Sequence, residues 1–305
     1  MIVSVIICTH NPRRDYLSRT LAALRLQTLP LDRWELVVVD NVSNPPLATT
    51  LDLSWHPQSR IVVESELGIL PARVRGMKET QTPFILFVDD DNLLAPDYLE
   101  TALAIADSHP FLGMWGGSIT PEFEVPAPPW ISGLEWLLAC AEISRDRWSN
   151  IKFSSTTIPP TAGMCLRRPI ADEFIRIVSK DPRRQALGRR GKEGLTNCED
   201  TDLAWIACDM GFGTGQFARL KMTHLIPNGR LREDYLFRLY EGTACSLMLL
   251  EAIHGRPPKA YPASPLRALF GGWRRKLFWN RRNRILFECE MRARQRACEV
   301  YATWS

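Results

Sequence analysis

The stretch FVDDDN, Phe87–Asn92, sets three consecutive carboxylates directly behind an apolar run, PFILFV. Adjacent anions repel one another, and an apolar strand has no need of them. Either they end the strand in water or they surround something positive. Magnesium and manganese are hard cations, often held by only one or two carboxylates together with a substrate's own phosphates. Asp89 and Asp91 are expected to act in this way, because alternate residues of an extended segment point the same way. A second chemical signal is TNCEDTDLAW (196–205), in which Thr196 followed by Glu199 has the spacing of a capping box and predicts a helix start. Glu199 therefore reads equally well as a structural cap and as a functional acid. Asp200 is not required by the cap, and the helix dipole in the first turn favours its ionised form. That suits a general base, with a surface charge as the alternative. Asp202 lies roughly 200° further round the helix and is expected in solvent. His224 closes the run ARLKMTHLI. It is either structural or a metal ligand, and imidazole suits manganese better than magnesium.

These residues need elements to position them. VSVIIC (3–8), ELVVVD (35–40), RIVVES (60–65) and FILFVD (84–89) are apolar runs separated by helical spacing, as in Asp15–Gln27. Runs apolar on both faces with helices between them predict a mostly parallel sheet flanked by helices, an α/β fold. Three polar clusters, Thr9-His10-Asn11, Asp40-Asn41 and Asp89-Asp90-Asp91, each fall just past a strand's C-terminal end. Ligands of open α/β sheets bind in the crevice at those ends. If the strands are neighbours, the clusters converge; singly, Asp and Asn are also ordinary turn residues. Neither GxGxxG after the first strand nor GxxxxGK[ST] is present, so phosphate must be handled without a dinucleotide fingerprint or a P-loop.

Pro-rich stretches (121–130 and 156–163) interrupt the middle, and a basic loop, Lys180–Asn197, precedes the helix near Glu199. Beyond Pro227 helical spacing places Leu236, Leu239, Leu247 and Leu250 on one side. A division into 1–230 and a helical basic extension, 231–305, follows. The chain has 305 residues, 45% hydrophobic and 24% charged, enough for a large core. Its eight cysteines form no CxxC pair and are expected to be reduced thiols, which argues against a zinc site. The leading residues lack the basic region of a signal peptide, and no run approaches the roughly 18 apolar residues of a spanning helix.

In their order along the chain, SVIICTHN, VVVDN, GILPARVRG (68–76), FVDDDN and CEDTDLAW resemble family 2 glycosyltransferases of the GT-A fold over about residues 2–228. The resemblance implies a GT-A catalytic domain that moves a sugar from a nucleoside-diphosphate donor with inversion, using Mn2+ or Mg2+. It implies that Thr9, Asn11 and Asp40 hold the nucleoside and that Arg73 contacts the nucleotide. Asp89 and Asp91 match the DxD motif, with Asp91 the metal ligand nearest the diphosphate. Asp90 remains a donor-side candidate within the run. Asp200 of the Glu199-Asp200 pair matches the base, and His224 matches a histidine that completes the metal shell in some members. The chain departs from the family at His10, Val74 and the DNVS segment, which bear on base and sugar contacts. A QxxRW element, typical of membrane-embedded polymer synthases, is absent.

The expected partners are a nucleotide sugar, with UDP the commonest carrier in the family, and a glycan or lipid-linked acceptor. The formal charge of +4 hides an asymmetry: Arg267–Arg296 carries ten Lys/Arg and two Glu, +8, so the remainder sums to −4. Segment 266–296 interleaves Arg with Leu, Phe and Trp. That suits an interfacial element on an anionic membrane surface, or a helix that packs Trp273, Phe278 and Trp279 on the body with its arginines in water. Nucleic acid is not expected, since no reader motif accompanies the arginines. The expected location is cytoplasmic, with a peripheral position at the inner membrane face on the membrane reading. Two rivals are a nucleotidyltransferase, disfavoured because CTHNPRR is no Gly-rich loop, and a non-catalytic nucleotide-sugar binder.

Overall fold

The computed structural model describes residues 1–154, 156–188, 198–261 and 279–304. The two central β-branched runs become β1 (Val3–Thr9) and β2 (Trp34–Asp40), in which every residue is buried. Such strands are covered on both faces. β3 (Ser59–Val63) lies on the edge and is only half-buried, while β4 (Phe84–Val88) lies on the other side of β1. The crossovers carry α1 (Arg14–Arg25) and α2 (Ile69–Lys78). At Gly76, α2 comes so close to the sheet that a Cβ would sit 2.5 Å from Ile6 Cγ2, so no larger residue fits.

The chain continues through β5 (Asn92–Leu94), α3 (Tyr98–Ser108), β6 (Leu112–Phe123), β7 (Arg147–Ser149) and β8 (Cys165–Arg167). Then follow α4 (Arg168–Val178), α5 (Pro182–Ala186), α6 (Glu199–Asp209) and β9 (Gly213–Ile226). Among the described residues the strand order is β3-β2-β1-β4-β8-β6-β9-β5, with β7 also on β9. The first four strands in that order run parallel, as the opening ninety residues predict. The second half mixes directions: β8 is antiparallel to both β4 and β6, β9 is parallel to β6, and β5 is antiparallel to β9. Register aligns Thr9 with Asp40 and Ile7 with Val88, so the ends of β1, β2 and β4 stand in one row.

The chain divides into two compact units, 1–181 with 199–228, and 182–198 with 229–305. In the second unit α7 (Glu233–Ile253) packs on α8 (Arg281–Ala302). α8 buries Cys289, Ala293 and Ala297, one turn apart. α7 buries Leu236, Leu239, Gly242, Cys245, Ser246, Leu249 and Leu250. This stripe advances in steps of three, so Leu247, expected on the same face, is only half-buried and Ser246 takes its place. Arg281 pairs with Glu233 and Arg292 with Glu241, both at 2.7 Å, and Arg294 pairs with Glu290 at 3.2 Å. Trp279 meets Phe287 edge-on at 5.7 Å. Trp273 and Phe278, named with it in the sequence, lie outside the described residues. No described helix is long and apolar enough to cross a membrane.

Candidate active site

The segment FVDDDN does not stay extended through its acids. β4 stops at Val88, and the Asn92 N–H donates to the Asp89 carbonyl at 3.1 Å, closing a turn. The extended geometry expected to pair Asp89 with Asp91 is therefore replaced by a turn. Asn92 is fully buried; its Oδ1 accepts the Asp89 N–H at 2.9 Å and its Nδ2 donates to Asp91 Oδ1 at 3.1 Å. The turn sends three carboxylates to three partners. Asp89 Oδ1 lies 3.4 Å from Arg73 Nη2, Asp90 accepts the Thr9 hydroxyl, and Asp91 Oδ1 is 3.3 Å from His224 Nε2. Adjacent anions are tolerable when each meets a cation or donor: Asp89 has Arg73, Asp90 the Thr9 hydroxyl and Asp91 the Asn92 amide.

The loops after β1 and β2 interlock. The Asn41 N–H donates to Thr9 O at 2.8 Å, and His10 Nδ1 donates to Asn41 O at 2.7 Å. The Asn11 N–H donates to Ser43 Oγ at 2.9 Å, and Asn11 Oδ1 accepts the Asn44 N–H at 2.8 Å. Thr9 is buried while His10 and Asn11 are exposed. Asp40 is 1% exposed, and its two oxygens accept the Ser43 and Leu47 N–H groups at 2.9 and 2.7 Å. Its carboxylate thus anchors the loop 41–47. Asn41 bonds the carbonyls of Glu64 and Glu66 and accepts the Gly68 N–H at 2.8 Å. Gly68, at φ 151°, then opens α2, a conformation open to glycine and few others.

From α2, Arg73 reaches across. Its side chain is 6% exposed; Nη1 pairs with Glu199, at the start of α6, and Nη2 faces Asp89. Burial alone would lower the Arg73 pKa, but the charges of Glu199 and Asp89 reverse that and hold it protonated. The capping-box reading of Glu199 rests on Thr196, which lies outside the described residues. Asp200 follows, its Oδ1 accepting the Thr201 N–H at 2.7 Å. Burial, and next the adjacent Glu199 charge, push its pKa up to about 6. It is ionised at neutral pH yet basic enough to take a proton. Asp202, expected in solvent, is 5% exposed. The reason is that α6 buries Asp202 through Ala207 without a break, so the side turned away from Asp200 is not a water-facing one.

His224 is buried on β9, flanked in register by Asn92 of β5 and Pro121 of β6. Its Nδ1 lies 2.9 Å from the Leu138 carbonyl, which requires the proton on that nitrogen. In the neutral ring Nε2 then turns a lone pair toward Asp91. Two acceptors at this distance are reconciled by a cation or a proton between them. One imidazole and one carboxylate are a donor set that suits manganese. Among the described residues no three His, Cys, Asp or Glu gather as a ready-made cage. An ion here would complete its shell from substrate phosphates and water.

A family model described as glycosyl transferase family 2 matches residues 4–171, more than half of the chain. The chain belongs to glycosyl transferase family 2. Among relatives, it is 36% identical over 109 residues to validoxylamine A glucosyltransferase of Streptomyces hygroscopicus subsp. jinggangensis, covering 34% of this chain and 25% of that protein. It spans about a quarter to a half of the length of the curated relatives it first matches. A mannosyltransferase from Pyrobaculum calidifontis, solved with GDP-Man and Mn2+, superposes with a TM-score of 0.58 at 18% identity, covering 99% of this chain and 87% of that one. S. aureus TarS solved with UDP-GlcNAc gives 0.54 at 13% identity, covering 100% and 93%. These likenesses carry the fold, GT-A.

In this family 2 chain the fold joins Asp89, Arg73 and Glu199 through ion pairs, and pairs Thr9 with Asp90 and Asp91 with His224. Asn92 and Leu138 were not foreseen, although the first shapes the acidic turn and the second sets the histidine tautomer. An Asn directly behind an acidic run was a turn signal that pointed to Asn92. No sequence signal points to a backbone carbonyl 86 positions from its histidine.

Proposed function

We propose that the chain transfers a sugar, with inversion, from a nucleoside-diphosphate donor to an acceptor hydroxyl of a glycan or lipid-linked saccharide. A UDP-sugar is the favoured donor, as TarS solved with UDP-GlcNAc suggests by likeness of fold. The observation that carries this reading is the bridge Asp89–Arg73–Glu199, which ties the acidic turn to the first turn of α6, where Asp200 follows. Asp200 takes the proton of the acceptor hydroxyl. The freed oxygen attacks the anomeric carbon, and the bond from that carbon to the diphosphate oxygen breaks. Thr9, Asn11 and the interlocked loops shape the nucleoside end, with Asp40 acting through the loop it anchors. Arg73 offers its positive charge on the donor side. A divalent cation held by Asp91 and His224, with Asp89 close along the same turn, would neutralise charge growing on the leaving diphosphate.

Thermal-shift and hydrolysis assays across UDP, GDP, dTDP and CDP sugars, with and without Mn2+, test the reading. The expected result is a metal-dependent shift with one donor class and slow hydrolysis of that donor. A pure binder would shift without turnover, and a nucleotidyltransferase would release pyrophosphate from a nucleoside triphosphate and a sugar phosphate.

A further inference from the structure

Between β6 and β7 the chain makes a long excursion whose two feet stand on the strands around His224. At the outgoing foot the Glu124 N–H donates to Ile226 O at 3.0 Å, and its carboxylate takes Arg13 and the Asn228 N–H, both at 2.8 Å. At the returning foot Leu138 O meets His224, Ala141 bridges to Ile119, and the Ile143 N–H donates to Ser118 Oγ at 2.9 Å. The excursion buries three apolar side chains, Ile131, Leu134 and Leu138, each at most 3% exposed. Gly133 and Glu135 close its turn through a 2.6 Å bond, and Ala139 takes a left-handed φ of 57° to release the chain downward. This frame presents Trp136, 53% exposed, two residues from the carbonyl that fixes His224.

A half-exposed indole two residues from the carbonyl that holds His224 fits one chemistry well. The apolar C–H face of a pyranose stacks on an indole while the sugar's hydroxyls stay with water and polar groups. We infer that Trp136 is the platform for a pyranose ring of the acceptor, setting which saccharides reach Asp200. The inference rests on the glycosyltransferase reading and deepens it by giving the acceptor a contact surface. The donor end has its own side chains, so the two halves of the substrate are separable by substitution.

The test uses the full chain, its active nucleotide sugar, Mn2+, and p-nitrophenyl glycosides as acceptors, together with donor hydrolysis. Trp136→Ala is expected to raise acceptor KM by at least about tenfold while donor KM and donor hydrolysis stay within about twofold, and Trp136→Phe to recover most of the loss. Trp148→Ala is the control: Trp148 is 50% exposed but pairs with Gly215, at the far end of β9 from His224. An unchanged acceptor KM in Trp136→Ala overturns the inference, as does a parallel rise in donor KM or a matching loss in Trp148→Ala. If the wild type neither hydrolyses nor transfers from any nucleotide sugar, the underlying reading fails and this inference with it. If the wild type is active and only the Trp136 result is negative, the reading stands and the platform alone is lost.

Discussion

Asp200 and Asp91 are both acids, yet their surroundings prepare them for different work. The rise of the Asp200 pKa from 3.8 to about 6 marks a carboxylate whose charge is costly in place. The proposed role as base requires it ionised, so on that proposal turnover should fall about tenfold per pH unit below pH 6, and a pH–kcat profile reads this directly. Asp200→Asn should lower kcat by a factor of roughly 10²–10⁴ while donor binding by thermal shift is kept. The same raised pKa makes a stability prediction. The folded form prefers the protonated acid, so its stabilising effect is complete below the unfolded value and is lost as pH rises through about 6. Asp200→Asn should therefore melt higher than wild type at pH 8, by up to about 3 kcal/mol, with no gain at pH 3.5. Equal melting at pH 8 would count against the buried charge. For Asp91→Asn the expectation is different: donor binding should lose its response to Mn2+, measured by titrating the metal.

At the scale of elements, two devices hold the site. The bridge between α2 and α6 is a buried ion pair, with Arg73 and Glu199 side chains 6% and 10% exposed. Removing one partner of such a pair is costly, whereas replacing both by apolar groups often is not. Arg73→Met should destabilise by about 3 kcal/mol in urea melts, and Arg73→Met with Glu199→Leu should recover most of that. Similar losses in the single and double variants would show that the pair does not join the two helices. The second device is the loop 41–47, where Val42, β-branched and exposed, sits at φ 60°. That conformation disfavours a branched residue. Val42→Gly should raise stability by about 1 kcal/mol, offset only by the greater freedom glycine gives the unfolded chain. A loss of stability would mean that the valine side chain packs usefully where it stands.

At the scale of the whole molecule, the +8 of Arg267–Arg296 is the open matter. Three arginines of α8 are paired with carboxylates of α7 and α8, so part of this charge is met within the second unit. We propose that attraction to an anionic membrane, if the chain has it, comes from Arg267, Arg274, Arg275 and Lys276. Replacing these four by Ser in the full chain should abolish pelleting with phosphatidylserine vesicles at 0.1 M salt, since each basic residue near such a surface contributes about 1 kcal/mol. Equal pelleting of both forms, or none by the wild type, would end the membrane reading. Full-chain substitution is preferable to truncation, because loss of α8 would uncover the apolar stripe of α7.

Much was legible in the sequence, because runs of β-branched residues without polar interruption favour strands, covered on both faces in β1 and β2. From those runs the four parallel strands and the three polar clusters at strand ends could be written down, and from the spacing in TNCE the helix near Glu199. Family membership was legible too, in the order of short motifs. Tertiary structure decided which partner each of those polar residues meets. Asp40 and Asp89 look alike as acids behind strands, but one accepts two backbone N–H groups of its own loop and the other meets an arginine from α2. Likewise the alternation expected of Asp89 and Asp91 gave way to a turn built by Asn92, and Asp202 was drawn inside because α6 is enclosed along its length. Each of these outcomes depends on hydrogen-bond partners and covering surfaces supplied by distant parts of the chain. A local pattern carries the periodicity of an element, and it carries no information about what the fold will bring against it.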